Sequence, residues 1–141
     1  MSRIYWDTML FVYWIEDHPR YAKRIRELLL KMERRQDQLC TSSFAAGEAL
    51  VGPNKAGNRE AATKMIDVFR SSFVEVIPFG LEAAEHYASI RASQSLSPPD
   101  AIHFACAAQA RIDLFLTNDN NLIGKVIPGI QFIAGLDSNI L

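Results

Sequence analysis

Residues 97–108 read Ser97-Pro98-Pro99-Asp100-Ala101-Ile102-His103-Phe104-Ala105-Cys106-Ala107-Ala108, a helix almost without a polar face. Ser97 suits the N-cap, and the two prolines suit the first helical positions, where no backbone N–H is needed. Beyond them, apolar residues cover nearly every direction around the axis, and a helix apolar all round is a buried one. It nevertheless opens on a carboxylate, Asp100. A charge at the mouth of a buried helix needs a partner: a backbone N–H, a cation or a metal.

The chain around this helix has 141 residues, enough for one domain with its own core, and the expectation is a single domain over residues 1–141. Hydrophobic residues make up 49% and charged residues 22%, a globular composition. A net charge of −1 excludes a global electrostatic pull toward nucleic acid, so any such affinity rests on a local patch or on metal ions. Cys40 and Cys106 stand in apolar surroundings and read as buried free thiols, which suit a reducing cytoplasm. No zinc-type Cys/His spacing is present. The apolar run Met9 to Ile15 is too short to span a bilayer and lacks the flanks of a signal peptide, so the expected location is cytoplasmic, without a membrane partner.

Short apolar strands alternate with helices along the chain. Strands are expected at Ile4–Trp6, Gln38–Thr41, Val74–Ile77, Leu114–Leu116 and Ile130–Ile133. Between them, helices are expected from Met9 to Ile15, from Arg20 to Gln36, from a Ser42 or Ser43 cap to Gly52-Pro53, from Arg59 to Ser72, from Leu81 to Ala92, and from Ser97 to about Arg111. Asn54 to Asn58 reads as a loop, Asn120 to Gly124 as one helical turn, and the tail as weakly structured. The alternation predicts an α/β sandwich on a mostly parallel sheet of about five short strands. Such sheets bind ligands beyond the carboxyl ends of their strands. Asp7 and Asp119 each sit just past such an end. Asp100 opens the helix leading to the second of these strands, and Glu48 is the only charge among the small apolar residues of its helix. Asp7 also suits a plain helix cap. Four acids in one crevice repel unless cations hold them, and hard oxygen ligands select Mg²⁺ or Mn²⁺.

In this set the sequence resembles the PIN-domain family, and within it the VapC-type toxins of bacterial toxin–antitoxin modules. The matching pieces are Tyr5-Trp6-Asp7-Thr8; Thr41-Ser42-Ser43 leading to Glu48-Ala49-Leu50; Leu96-Ser97-Pro98-Pro99-Asp100-Ala101-Ile102-His103; and Phe115-Leu116-Thr117-Asn118-Asp119. The resemblance spans roughly residues 3 to 133. It implies a PIN-like α/β/α sandwich and a Mg²⁺- or Mn²⁺-dependent endoribonuclease that hydrolyses RNA by metal-activated water. By that resemblance Asp7, Glu48, Asp100 and Asp119 form the acidic quartet, with Asp7 and Asp100 as the firmest metal ligands. Thr8, Thr117 and Asn118 fall at the family's supporting polar positions. The resemblance also implies a homodimer and a cognate antitoxin protein as partners. The rival reading is a catalytically inactive PIN-like module that binds RNA or protein.

Other classes fit less well. A phosphoacceptor domain wants an adjacent acid pair after the first strand, where Asp7 has Trp6 and Thr8 as neighbours. A haloacid-dehalogenase-type phosphatase wants Asp-x-Asp there, and position 9 is Met. There is no phosphate-cradling glycine loop and no G-x-S-x-G elbow beside His18, His86 or His103. His103 lies one turn after Asp100 and reads either as a hydrogen-bonded core residue or as a group touching substrate or metal. The segment from Arg20 to Arg35 carries seven basic residues against Glu27 and Glu33, either a solvated face or a phosphate-binding one. The aromatic residues Phe11, Tyr13 and Trp14 mark either an interface or a thoroughly buried helix.

Overall fold

A computed structural model describes residues 1–141. Five strands, β1 (Arg3–Trp6), β2 (Gln38–Ser42), β3 (Val74–Ile77), β4 (Leu114–Thr117) and β5 (Phe132–Gly135), form one sheet in the order β3-β2-β1-β4-β5. Every pairing is parallel, with Tyr5 opposite Cys40 on one side and Phe115 on the other. The first strand thus lies at the centre. The chain builds outward from it in one direction through β2 and β3, then in the other through β4 and β5. The switch point falls between β1 and β4.

Six helices cover the sheet: α1 (Thr8–Ile15), α2 (Ala22–Arg35), α3 (Ser43–Ala56), α4 (Arg59–Arg70), α5 (Leu81–Ser93) and α6 (Pro98–Gln109). Successive strand residues point to opposite faces, so each three-residue apolar run feeds two cores. Ile4, Trp6, Leu39, Leu114 and Leu116 pack on one side with residues of α1, α2 and α4, among them Leu10, Leu28 and Phe69. Tyr5, Cys40 and Phe115 point to the other side, against α5 and α6. The result is the expected α/β/α sandwich, with all five strands parallel.

The Ser97 helix behaves as its sequence dictates. Ser97 accepts the Asp100 backbone N–H, Pro98 and Pro99 occupy the first helical positions, and Ala101 and His103 through Ala108 are buried. Both cysteines are free and buried, and burial pushes their thiols up, Cys40 to about 12 and Cys106 to about 11. No helix is long and apolar enough to cross a membrane.

Several boundaries differ from the sequence reading. Helix α3 does not end at Gly52-Pro53 but continues through Pro53 to Ala56, ending on Gly57 at φ 65°. Gly52 carries no Cβ to meet the proline ring, and the ring itself is buried, so one lost hydrogen bond is tolerated. Residues 54–56, read as loop, are therefore helical. The last strand starts at Phe132 rather than Ile130, because Ile130 is spent in the core on the α6 side and pairing begins only at Leu114↔Phe132. Residues 120–124 form turns rather than a helix. The tail is anchored: Leu136 is buried, and the Arg24 guanidinium donates to the carbonyls of Leu136 and Ser138 at 3.0 and 2.8 Å.

That anchoring also revises the basic face of α2. Arg24 holds the tail, Arg26 pairs with Asp17 at 2.9 Å, and Arg35 pairs with Asp37 at 2.8 Å. Arg34 and Arg35 directly precede β2, at the opposite end of the sheet from Asp7. In α1, Phe11 is fully buried and Trp14 packs on Trp6 and Phe73 at 6.1 and 6.0 Å, so much of its aromatic surplus is used internally.

Candidate active site

The switch point between β1 and β4 is where a doubly wound parallel sheet opens a crevice. Asp7 follows β1 directly and caps α1, its Oδ1 accepting the Thr8 N–H at 2.8 Å. Both readings of Asp7 are thus compatible: capping uses one oxygen and leaves the carboxylate at the crevice. Its Oδ2 accepts the Thr117 hydroxyl at 2.8 Å from the end of β4. Thr117 Oγ1 in turn accepts the backbone N–H of Asp119 at 3.0 Å. One buried hydroxyl therefore holds the Asp7 carboxylate and the Asp119 backbone, while the Asp119 carboxylate accepts the Asn121 N–H at 2.9 Å. Asp7 and Asp119 line a single cleft of about 500 Å³ together with Met9, Tyr13, Asn118 and Asn121. Asn118 donates to the Tyr13 hydroxyl at 3.2 Å.

Glu48 reaches the same place from α3. Its Oε1 accepts the Thr8 hydroxyl at 2.6 Å and lies 2.6 Å from His103 Nε2, which is 3.6 Å from Asp7 Oδ1. Thr8 and His103 together bridge Asp7 and Glu48. Partial burial pushes the Glu48 carboxyl up, but the hydrogen bonds from His103 and Thr8 and the nearness of the imidazole outweigh it and leave the group below its ordinary value.

Asp100 stands apart. It lies one helical turn before His103, on the same side of α6, and its Oδ2 accepts the Ser97 hydroxyl at 3.0 Å. No hydrogen bond joins it to the other three acids. The structure thus links Asp7 to Glu48 through Thr8 and His103, and Asp7 to the Asp119 backbone through Thr117, and bonds Asp100 only to Ser97.

These donors are oxygens of carboxylates, hydroxyls and an amide, the set that suits a hard divalent cation rather than zinc or copper. In chemistry the residues fit Mg²⁺ or Mn²⁺. In arrangement, no three carboxylate, imidazole or thiol groups stand ready around one point. Glu48 is held by His103 and Thr8, and Asp100 by Ser97, so those internal donors would have to yield or share for an ion to be gripped.

The sequence reading placed Tyr5 in the first strand and in the first matching piece, and Ser42 in the second piece and as a cap, but gave neither hydroxyl a place in the site. The Tyr5 hydroxyl, wholly buried, lies 2.8 Å from Ser42 Oγ and 2.7 Å from His103 Nδ1. Burial drives its ionisation far above the ordinary tyrosine range. The available signal was the residue type: a tyrosine inside a fully buried strand needs a partner for its O–H.

The PIN domain family model matches residues 4–126. A comparison with curated protein sequences finds no match. Among solved structures, VapBC2 from Rickettsia felis, bound to a DNA fragment from its promoter, is 22% identical with a TM-score of 0.71, covering 94% of this chain and 98% of that one. A toxin–antitoxin complex from Klebsiella pneumoniae is 21% identical with a TM-score of 0.66, covering 90% and 94%. Mycobacterium tuberculosis VapC20, a Sarcin-Ricin loop cleaving toxin, is 18% identical with a TM-score of 0.69, covering 84% and 91%. At these identities the likeness is one of fold.

Proposed function

The chain belongs to the PIN-domain family, and from that membership we propose that it is a divalent-metal-dependent endoribonuclease, the toxin of a toxin–antitoxin pair. The observation that carries the reading is the pairing of Asp7 and Asp119 across one cleft at the sheet's switch point, with Glu48 one hydroxyl away through Thr8. Asp7 and Asp119 would hold the ion, with Glu48 and Asp100 closing on it from α3 and α6. When bound, Mg²⁺ or Mn²⁺ supplies charge neutralisation and Lewis acidity for phosphodiester hydrolysis.

The chain's own residues do the rest. Thr117 and Thr8 set the orientation of Asp7 and Glu48 by donating to them. Asn118 and Tyr13 form a polar wall against which a ribose or phosphate can rest. Glu48, its ionised form favoured by its donors, keeps the negative charge that would draw a cation. RNA is the proposed substrate. The proposed partners are a second copy of the chain and a cognate antitoxin, a reading supported by the toxin–antitoxin complexes among the similar folds.

The second reading, an inactive PIN-like module, is favoured by one observation: no three ligating groups stand pre-assembled. RNA cleavage assayed with Mg²⁺, with Mn²⁺ and with EDTA, beside the Asp7→Asn and Asp100→Asn variants, separates the two. The nuclease reading expects cutting that EDTA stops and that both variants lose while still folding. Absence of any metal-dependent cutting by the unaltered chain leaves the inactive module.

A further inference from the structure

The cleft that holds Asp7 and Asp119 is lined by acids, amides, Tyr13 and Met9, and by no cation. An RNA strand laid across it brings several phosphates, and those beside the scissile one need positive charge from the chain itself. Arg20 is placed to supply it. Its guanidinium carbon lies 5.2 Å from the centre of the Tyr21 ring, and Tyr21 stacks on Tyr13 at 4.6 Å. Tyr13 lines the cleft, and its hydroxyl accepts from Asn118. We propose that Arg20 clamps a phosphate of the RNA strand next to the scissile one. This clamp rests on the nuclease reading and names the group that would hold its substrate.

Arg20 is available. It is exposed, and no carboxylate pairs with it. Asp17, in the same turn, is taken by Arg26 at 2.9 Å, while Arg24 and Arg35 hold the tail and Asp37. Its guanidinium is therefore free to meet a phosphate with two parallel bonds. Arg20 is also held in place. An arginine that is loose on a surface loses much of its freedom when it grips a ligand. Here the Tyr13 carbonyl accepts the His18 N–H at 2.9 Å, and His18 Nδ1 accepts the backbone N–H of Arg20 at 3.1 Å and of Tyr21 at 3.3 Å. The His18 ring packs on Tyr13 and Tyr21 at 5.0 and 5.1 Å. Three rings and three backbone bonds thus tie the turn to the cleft wall, and the face of Tyr21 attracts the guanidinium.

A carboxylate of a protein partner would suit the same guanidinium. A segment rich in such groups would be repelled by Asp7 and Asp119 in the adjoining cleft. An RNA strand reaches Arg20 as the continuation of what the cleft is proposed to hold.

The test is fluorescence anisotropy of a labelled single-stranded RNA decamer with Ca²⁺ present to fill the acidic cleft, read at several salt concentrations. Arg20→Gln is expected to weaken binding about fivefold to tenfold at low salt and to lower the salt slope by about 0.7, the loss of one phosphate contact on a single strand. Arg20→Lys should keep the slope and lose part of the affinity, because it keeps the charge without the fork. Arg70→Gln removes an exposed cation from the last turn of α4, at the far end of the sheet, and should change neither. In Mn²⁺-supported cleavage, Arg20→Gln should raise KM and leave kcat near that of the unaltered protein. RNA binding with equal affinity and slope in the unaltered protein and Arg20→Gln would overturn the clamp and leave the nuclease reading standing, as would equal losses in Arg20→Gln and Arg70→Gln. No RNA binding by the unaltered protein would remove the nuclease reading and the clamp together. Labelled hexaglutamate that binds more tightly than the RNA, and is lost in Arg20→Gln, would assign Arg20 to an acidic protein segment instead.

Discussion

The Thr117 hydroxyl donates to Asp7 Oδ2 at 2.8 Å and accepts the Asp119 N–H at 3.0 Å, so one side chain at the end of β4 ties the Asp7 carboxylate to the Asp119 backbone. Thr117→Val keeps the shape and removes both bonds. The expected result is a folded protein whose metal-dependent RNA cleavage falls about tenfold to a hundredfold, as for lost orienting partners of metal ligands. Single-turnover cleavage beside a thermal melt measures it. Unchanged cleavage would mean that Asp7 and Asp119 find their places without Thr117.

Glu48 gives the protein an acid-side pH dependence. Its donors lower the folded-state value below that of the unfolded chain, so the native state favours the ionised form. The stability this contributes is fully present above the unfolded carboxyl's value and is lost as pH falls through the folded one. The carboxyl is about a third exposed, so the contribution is screened. Urea unfolding of the unaltered protein and of Glu48→Gln from pH 7 to 3 should give a constant difference near neutrality that shrinks in acid. A difference that grew in acid would contradict the sign.

Gly129 is the glycine whose Cβ would meet backbone at close range. Its φ is 95°, and a Cβ there would lie 2.9 Å from the Ala108 carbonyl oxygen and 3.1 Å from the Ala108 Cα. Gly124, at φ 86°, has the same backbone demand and open space around it. Gly124→Ala should therefore cost only the left-handed penalty, about 1 kcal/mol, and Gly129→Ala about 2–3 kcal/mol because the backbone of α6 must also shift. Equal denaturation midpoints for the two variants would show that α6 yields freely at that point.

The basic face of α2 divides by what its members already hold. Arg24 spans to Leu136 and Ser138, so Arg24→Gln should destabilise the protein by about 1–2 kcal/mol through the two lost charge-assisted bonds and loosen the tail. Lys23→Gln with Arg34→Gln removes charges that make no such bond and should leave the melt unchanged. If that face binds RNA, the second pair and not Arg24 reduces the salt dependence of binding. Filter binding at several salt concentrations, beside hydrogen exchange of residues 136–140, reads both effects.

Much of this was legible in the sequence because it rests on local rules. Ser97-Pro98-Pro99 announces a helix start, the all-apolar stretch after it announces burial, and Asp7 and Asp119 stand at the ends of runs too short and apolar to be anything but buried strands. What stayed hidden depends on facing direction. In a strand buried on both sides, alternation leaves no hydropathy trace, so nothing in Ile4-Tyr5-Trp6 tells that Tyr5 turns to α6 while its neighbours turn to α1 and α2. The hydrogen bond between the Tyr5 hydroxyl and His103 was invisible for that reason. The acids at the opposite edge were overlooked for another. Asp37, its carboxylate fully buried, accepts the Ser2 N–H, and Asp113 accepts the Arg3 N–H, both at 2.7 Å. Sequence gives no sign of which end of a strand an acid will serve. Gly52-Pro53 misled because a helix near its end can carry a buried proline at the loss of one hydrogen bond, as α3 does through Ala56.

The central position of β1 also governs when the crevice can exist. Asp7 emerges from the ribosome 110 residues before Thr117, whose hydroxyl orients it. A growing polypeptide can dock β2 and β3 beside β1, but the other flank stays empty until β4 has cleared the exit tunnel. Vectorial synthesis therefore keeps Asp7 and Asp119 apart until β4 has emerged, and a nascent chain shorter than that carries no assembled crevice.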